Sequence, residues 1–360
     1  MITADSMAGL GPATILRGDA RHLPLTDESV DLVVTSPPYF ALRSYRDGGE
    51  HYSGQIGSER TPRKFVDALI ECTREMMRVL KPAGSIWVNL GDKYAGQNMG
   101  QISNHGVGGS IEGGIRFTSS KRRGAASPGG VRDKSLIGIP WRYALRCIDD
   151  LGLILRSEVI WSKPNGLPES VTDRVRRSHE HWFHLVKQPR YFAAVDEIRE
   201  PHIDNRINGM TWEQRKARGD AMRQGEQSGT FGAGMPGSPL GKLPGSVREV
   251  PSQPLRVPPE LGVDHFAAFP PAWPAWIIRG WSPPSGVVLD PFGGTGTTAM
   301  AARALGRQGI SVDYSADYCR LARWRCTDLD ELAAVRGLPR ENRASRPDQT
   351  DLFDLPEVTS

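Results

Sequence analysis

The sequence predicts an α/β fold with a mostly parallel, doubly wound sheet, and three observations carry that prediction. Short apolar runs bounded by turn residues, Val30–Val34, Ser85–Leu90 and Gly286–Asp290, read as buried strands. Between the first two lies a helical pattern with Phe65, Leu69, Cys72, Met76, Val79 and Leu80 on one face. Near the end, a glycine-rich turn joins a strand to a helix, and the next strand finishes on an acid, which is the order of a nucleotide-binding βαβ unit.

The first ten residues read as a loose arm, and Thr14–Arg17 as a short strand ending at Gly18-Asp19. The strand Val30–Val34 stops where Ser36-Pro37-Pro38-Tyr39 begins, because neither proline can donate to a sheet ladder. Pro62 opens the helix and Lys81-Pro82-Ala83-Gly84 is expected to stop it ahead of Ser85–Leu90. Residues 93–135 break the rhythm. They are rich in Gly, Ser and Asn and carry Arg116, Lys121, Arg122, Arg123, Arg132 and Lys134. Two readings stand level here, a solvated insertion and a loop that orders on phosphate contact.

Pro140 starts a further helix, and strands are expected at 153–161 and 182–186. His179, His181 and His184 fall at strand-like spacing and are expected to point outward rather than to close a metal sphere. Residues 195–262 show little apolar periodicity and read as an inserted recognition region or a long loop. Helix, strand and turn return from Ala275 onward, and one long helix is expected over 316–335. The organisation expected is thus a catalytic half at 11–194, an insertion at 195–262, a second half of the same domain at 263–338, and a disordered tail at 339–360.

Composition narrows the class. A formal net charge of +4 permits a nucleic-acid partner without requiring one. The four cysteines form no CxxC pair, which argues against a zinc site or a disulfide framework. No signal-peptide pattern and no membrane-length apolar run is visible, so a soluble cytoplasmic protein is expected. A GxxxxGK[ST] phosphate loop is absent, which argues against ATP hydrolysis.

Two stretches carry chemistry. The first, Ser36-Pro37-Pro38-Tyr39, places a hydroxyl, a stiffened carbonyl and a ring at the carboxyl end of a strand, where ligands bind in open α/β sheets. The second, Phe292-Gly293-Gly294-Thr295-Gly296-Thr297-Thr298, lets backbone N–H groups approach a ligand near a helix start. Asp290 closes the strand before it and is a further candidate for cofactor contact, and Asp313, 23 residues further on, stands where an acid commonly takes ribose hydroxyls.

Together the two stretches resemble the amino-methylating DNA methyltransferases, which carry an [S/N/D]-P-P-[Y/F/W] motif and an F-x-G-x-G-T-T loop. Catalytic motif first and cofactor loop last is similar to the permuted β-class. The resemblance implies a Rossmann-like methyltransferase fold with an inserted recognition region, S-adenosylmethionine as cofactor and double-stranded DNA as substrate. It implies that Ser36 and the Pro37 carbonyl accept hydrogen bonds from an exocyclic amine and that Tyr39 stacks on a flipped base. It further implies that Asp19 touches the cofactor adenine, that Phe292–Thr298 hold its amino-acid end, and that Asp313 takes the ribose. Serine at the first motif position is the usual form in cytosine-N4 enzymes and aspartate in adenine-N6 enzymes, so cytosine is preferred and adenine stays open. Methylation of RNA or of a protein amide, and a catalytically inactive DNA-binding module, remain more distant alternatives.

Lys163 and Asn165, in a block similar to one of the family's, and the basic Arg122, Arg123, Arg174, Arg176 and Arg177 are candidates for DNA contact. In the tail, Gln349, Leu352 and Phe353 resemble the short peptide by which bacterial proteins dock on the replication sliding clamp. A cognate restriction enzyme is a further partner compatible with the family.

Overall fold

The computed structural model describes residues 11–41, 46–47, 50–51, 54–96, 130–166, 168–201, 213–214, 216–217, 238, 240–255, 257–258, 261–263 and 268–338. The strands are β1 (Ala13–Arg17), β2 (Val30–Thr35), a short antiparallel ribbon of β3 (Arg46–Asp47) and β4 (Glu50–His51), β5 (Leu80–Leu90), β6 (Ile154–Ser162), β7 (His179–Val186), β8 (Val247–Glu249), β9 (Val287–Asp290) and β10 (Gln308–Asp313). The helices are α1 (Pro62–Val79), α2 (Ile139–Asp149), α3 (Ala272–Trp281), α4 (Thr297–Ala304), α5 (Ala316–Thr327) and α6 (Leu329–Val335).

Eight strands form one sheet in the order β1-β10-β9-β2-β5-β7-β6-β8. The run from β1 to β5 is parallel, and β7 lies antiparallel between β5 and β6. Side chains alternate across the sheet, as a two-residue repeat demands. Val33, Ile86, Val88 and Phe183 join one core with Phe65, Leu69 and Met76 of α1 and Tyr143 of α2. Leu32, Val34, Trp87 and Trp182 join the opposite core with Trp273 and Ile277 of α3 and Met300 of α4. The chain therefore leaves β2 over one face and β9 over the other. Because β2 and β9 are neighbours, their carboxyl ends flank the crevice where such sheets bind ligands.

α1 begins as its sequence dictates. Thr61 is extended, its hydroxyl accepts from the Lys64 N–H at 3.2 Å, and Pro62 fills the first helical position. Phe65, Leu69, Cys72, Met76 and Val79 are all buried.

The helix stops at Val79, just ahead of Lys81–Gly84, as expected, but the strand begins earlier than Ser85: Lys81–Gly84 belong to β5, bulged opposite Val30–Leu32, and the Lys81 ammonium pairs with Asp31 at 2.8 Å. Three further expectations are corrected. The helix expected over 316–335 is two helices, because extended Asp328 accepts from the N–H groups of Asp330 and Glu331 and starts α6 afresh. His181 and His184 point inward, since β7 is covered on both faces. His184 stacks on Trp87 with ring centroids 4.5 Å apart, and burial pushes its pKa down to about 3. Within 195–262, Val247–Glu249 is a strand that extends the sheet edge beside β6.

All four cysteines are buried and free. Among the described residues no helix is long and apolar enough to cross a membrane, and no cluster of His, Cys, Asp and Glu is arranged to hold a metal ion.

Candidate active site

Ser36-Pro37-Pro38-Tyr39 leaves the end of β2 into the crevice. Pro37 is buried, whereas Ser36, Pro38 and Tyr39 are half-buried. The Tyr39 ring lies against Gly91, where an added Cβ would sit 2.8 Å from Cε2, so only glycine admits the ring there. The Tyr39 hydroxyl donates to Glu180 Oε2 at 2.6 Å and lies 2.9 Å from Asn89 Oδ1. Ser36 Oγ donates to the same Asn89 oxygen at 3.2 Å. The ring is thus pinned by its polar end to the carboxyl end of β5 and the start of β7. Glu180 is also ion-paired with Lys163, whose ammonium lies 4.1 Å from the centre of the Trp161 ring.

The glycine turn follows β9. Asp290 is only 1 % exposed and lies beneath the turn. Its Oδ1 accepts from the Thr35 hydroxyl at 2.6 Å and from the Phe292 N–H at 3.1 Å, and its Oδ2 accepts from the Thr298 hydroxyl at 2.9 Å. Thr298 Oγ1 also lies 3.1 Å from the Val34 carbonyl oxygen. One buried carboxylate therefore clamps the residue before Ser36 to both ends of the turn. Burial raises its pKa to about 6 against the opposing effect of these hydrogen bonds.

The turn is tight below and open above. A Cβ on Gly293 would fall 1.8 Å from Ser311 Oγ, and one on Gly296, at φ +74°, would fall 2.7 Å from the Ala322 Cβ. A Cβ on Gly294, at φ +48°, would meet only the Phe292 carbonyl oxygen at 3.9 Å. Such a cradle, closed by Cβ-free backbone and open over Gly294, fits the close backbone approach that an adenosine cofactor requires.

Phe292 and Gly294 are half-buried at this open side, whereas Thr295, Thr297 and Thr298 are buried. Arg325, itself buried, donates from Nη1 to the Thr295 and Thr297 hydroxyls at 2.8 and 2.6 Å and pairs through Nη2 with Glu331 at 2.9 Å. Asp290, Thr295, Thr297 and Thr298, expected as cofactor contacts, thus shape the turn from within.

Asp313 and Asp19 stand at the tips of the adjacent strands β10 and β1. Asp313 Oδ2 accepts from the Gly294 N–H at 2.8 Å and Oδ1 from the Ser315 N–H at 2.9 Å, which fixes the carboxylate beside the turn. Asp19 is gripped by the Arg21 guanidinium, at 2.6 Å for the shortest contact. Burial opposes its ionisation, but the hydrogen bonds from Arg21 prevail and hold its pKa below the ordinary carboxyl value.

Several of the residues expected to touch DNA are held in local contacts around the loop after β6. Asn165 forms a closed pair with the Ser252 backbone, giving and receiving hydrogen bonds at 2.8 Å, so its side chain ties the loop after β6 to the segment after β8. Arg174 pairs with Glu169 at 2.6 Å and stacks 3.8 Å from the centre of the Tyr94 ring. Arg176 donates to the Gly166 carbonyl at 2.6 Å and Arg177 is half-buried nearby. Arg122, Arg123, Gln349, Leu352 and Phe353 lie outside the described residues.

Sequence reasoning assigned no role to Thr35, Asn89 or Arg325. Asn89 carried a signal, as a polar residue ending an apolar strand at the level of Ser36. Arg325 had none, since it reads as one more arginine on a basic helix.

The doubly wound sheet, the Ser-Pro-Pro-Tyr strand end and the glycine turn linked to it give the Rossmann-like methyltransferase fold. Residues 30–323 match the DNA methylase family of N6 and N4 enzymes, and the chain belongs to that family. It is 33 % identical over 326 residues to the Type II methyltransferase M.SmaI of Serratia marcescens, covering 88 % of this chain and 92 % of that one. It is 34 % identical over 320 residues to M.XycI of Xanthomonas campestris pv. cyanopsidis, covering 86 % of each. Among solved structures, the cytosine-N4-specific PvuII DNA methyltransferase shares the fold with a TM-score of 0.57 at 19 % identity, over 91 % of this chain and 92 % of that one.

Proposed function

We propose that the protein methylates the exocyclic N4 amine of a cytosine flipped out of double-stranded DNA, with S-adenosylmethionine as methyl donor. The observation that carries this reading is Ser36 at the mouth of the crevice, joined to the cofactor turn through Thr35, Asp290 and Thr298. A neutral serine at this position is the usual form in the cytosine-N4 enzymes that the motif resembles. The PvuII enzyme, which has this fold, carries the same specificity.

The chemistry asked of the chain is modest and geometric. An amine conjugated to its ring is a poor nucleophile because its lone pair is delocalised. Ser36 Oγ and the Pro37 carbonyl, accepting from the two N–H groups, draw the nitrogen toward a tetrahedral shape and localise that pair. The two prolines keep both acceptors in register. Tyr39, pinned at its hydroxyl, offers its ring to the base. Phe292, Gly294 and Asp313 hold the cofactor, whose sulfonium makes the methyl electrophilic when bound.

Segment 195–262 serves as the target-recognition region, bound to the catalytic sheet through β8 and the Asn165–Ser252 pair. The test is to incubate the protein with labelled cofactor and duplex DNA, digest to nucleosides and identify the labelled one. N4-methylcytosine is expected. N6-methyladenine overturns the base assignment, and label in RNA or protein but not DNA overturns the substrate class.

A further inference from the structure

We propose that Asn89 is a positioning residue that makes the Ser36 hydroxyl a hydrogen-bond acceptor. This role presupposes that the chain methylates an amine, as proposed above. A serine hydroxyl has one proton to give and lone pairs with which to receive. An amine substrate brings protons, so it needs Ser36 as acceptor. A Ser36 proton aimed at the amine would bind the very lone pair that must attack.

The structure sends that proton elsewhere. Ser36 Oγ lies 3.2 Å from Asn89 Oδ1, and no other partner for the hydroxyl is seen among the described residues. The orientation of the Asn89 amide follows from its other end, 3.3 Å from the His181 carbonyl oxygen. A carbonyl can only accept, so the NH2 group faces His181 and the oxygen faces Ser36. Asn89 is buried within β5, which keeps the amide in place.

Tyr39 competes for the same oxygen but has a single proton. The Glu180 carboxylate, at 2.6 Å against 2.9 Å for Asn89, is the closer acceptor and leaves the Asn89 oxygen to Ser36. An ionised aspartate at position 36 would need no such arrangement, because a carboxylate only accepts. Asn89 is therefore matched to a serine in the catalytic motif.

The test is a mutant cycle on the full-length protein. Asn89→Leu is made alone, with Ser36→Ala and with Ser36→Asp. Single-turnover methylation of duplex DNA, cofactor affinity by calorimetry and melting temperature are measured for each. Asn89→Leu alone is expected to slow methyl transfer roughly 10- to 100-fold with little change in cofactor affinity. With Ser36→Ala or Ser36→Asp in place, the same change is expected to cost less than about 2-fold, since no hydroxyl remains to be oriented. Should Asn89→Leu not fold, Asn89→Ala, which is smaller, runs through the same cycle. Losses that multiply in both backgrounds, or a matched loss of cofactor affinity, overturn the role. If the unaltered protein transfers no methyl group to a DNA amine, the functional reading fails and this role with it. If it does and the losses multiply, only the role of Asn89 fails.

Discussion

Asp290→Asn separates the charge of the buried clamp from its hydrogen bonds. An asparagine fits the site with its oxygen replacing Oδ1, where Thr35 Oγ1 and the Phe292 N–H both donate. Its NH2 then replaces Oδ2 beside Thr298 Oγ1, whose own proton turns to the Val34 carbonyl 3.1 Å away. All the contacts survive and only the charge is lost. The native carboxyl titrates near 6 in the fold against an ordinary 3.8. The folded state therefore binds a proton that the unfolded chain has released between those values. Stability from this group is full below about pH 4 and is lost as pH rises through 6, a difference of roughly 3 kcal/mol. Urea denaturation of both proteins from pH 4 to 7 checks this. The stability of the native protein minus that of Asp290→Asn is expected to fall by about that amount across the range, because the other carboxylates cancel in the difference. Parallel pH profiles would refute the claim that Asp290 is buried at an energetic cost.

Other consequences run in parallel. Ser36→Ala is expected to lower turnover by at least roughly 100-fold while leaving cofactor affinity nearly unchanged, and an equal loss of both would make Ser36 structural. Gly293→Ala, whose Cβ would collide with Ser311, is expected to abolish cofactor binding measured by calorimetry. Gly294→Ala meets open space and should cost only about 1 kcal/mol for its left-handed backbone. His184 behaves oppositely to Asp290. Its folded pKa near 3 lies below the ordinary 6.5, so its contribution is complete above 6.5 and lost as pH falls toward 3. His184→Phe, which keeps a ring on Trp87, should flatten the acid limb of the stability profile, and an unchanged limb would mean that His184 is protonated in place.

The order of elements was legible in the residues themselves. Apolar runs such as Val30–Val34 and the 3-and-4 spacing of Phe65, Leu69, Cys72 and Met76 are local patterns that burial imposes on a strand and a helix. The two motifs were legible for a similar reason, since prolines after a strand and glycines before a helix restrict backbone geometry wherever they occur. What lay between the motifs was not. The break at Asp328 depends on a side chain winning backbone N–H groups from a continuing helix, a contest of small energies that periodicity does not register. The inward turn of His181 and His184 depends on α2, α3 and their neighbours covering both faces of β7, which no window of sequence contains.

The sequence by itself determined the fold class, the two motifs and their order, because these follow from backbone restriction and burial pattern. Only the tertiary structure decided how the motifs are joined. Ser36 and Phe292 are more than 250 residues apart in the chain. Adjacent β2 and β9 bring them to one crevice, where Asp290 binds Thr35 to Thr298. The same closure sets Thr295 and Thr297 beneath the turn on Arg325, Thr298 on Asp290, and Asn89 beside Ser36. A hydrogen bond needs its partners within about 3 Å, and distances of that kind between remote residues exist only once the sheet has assembled.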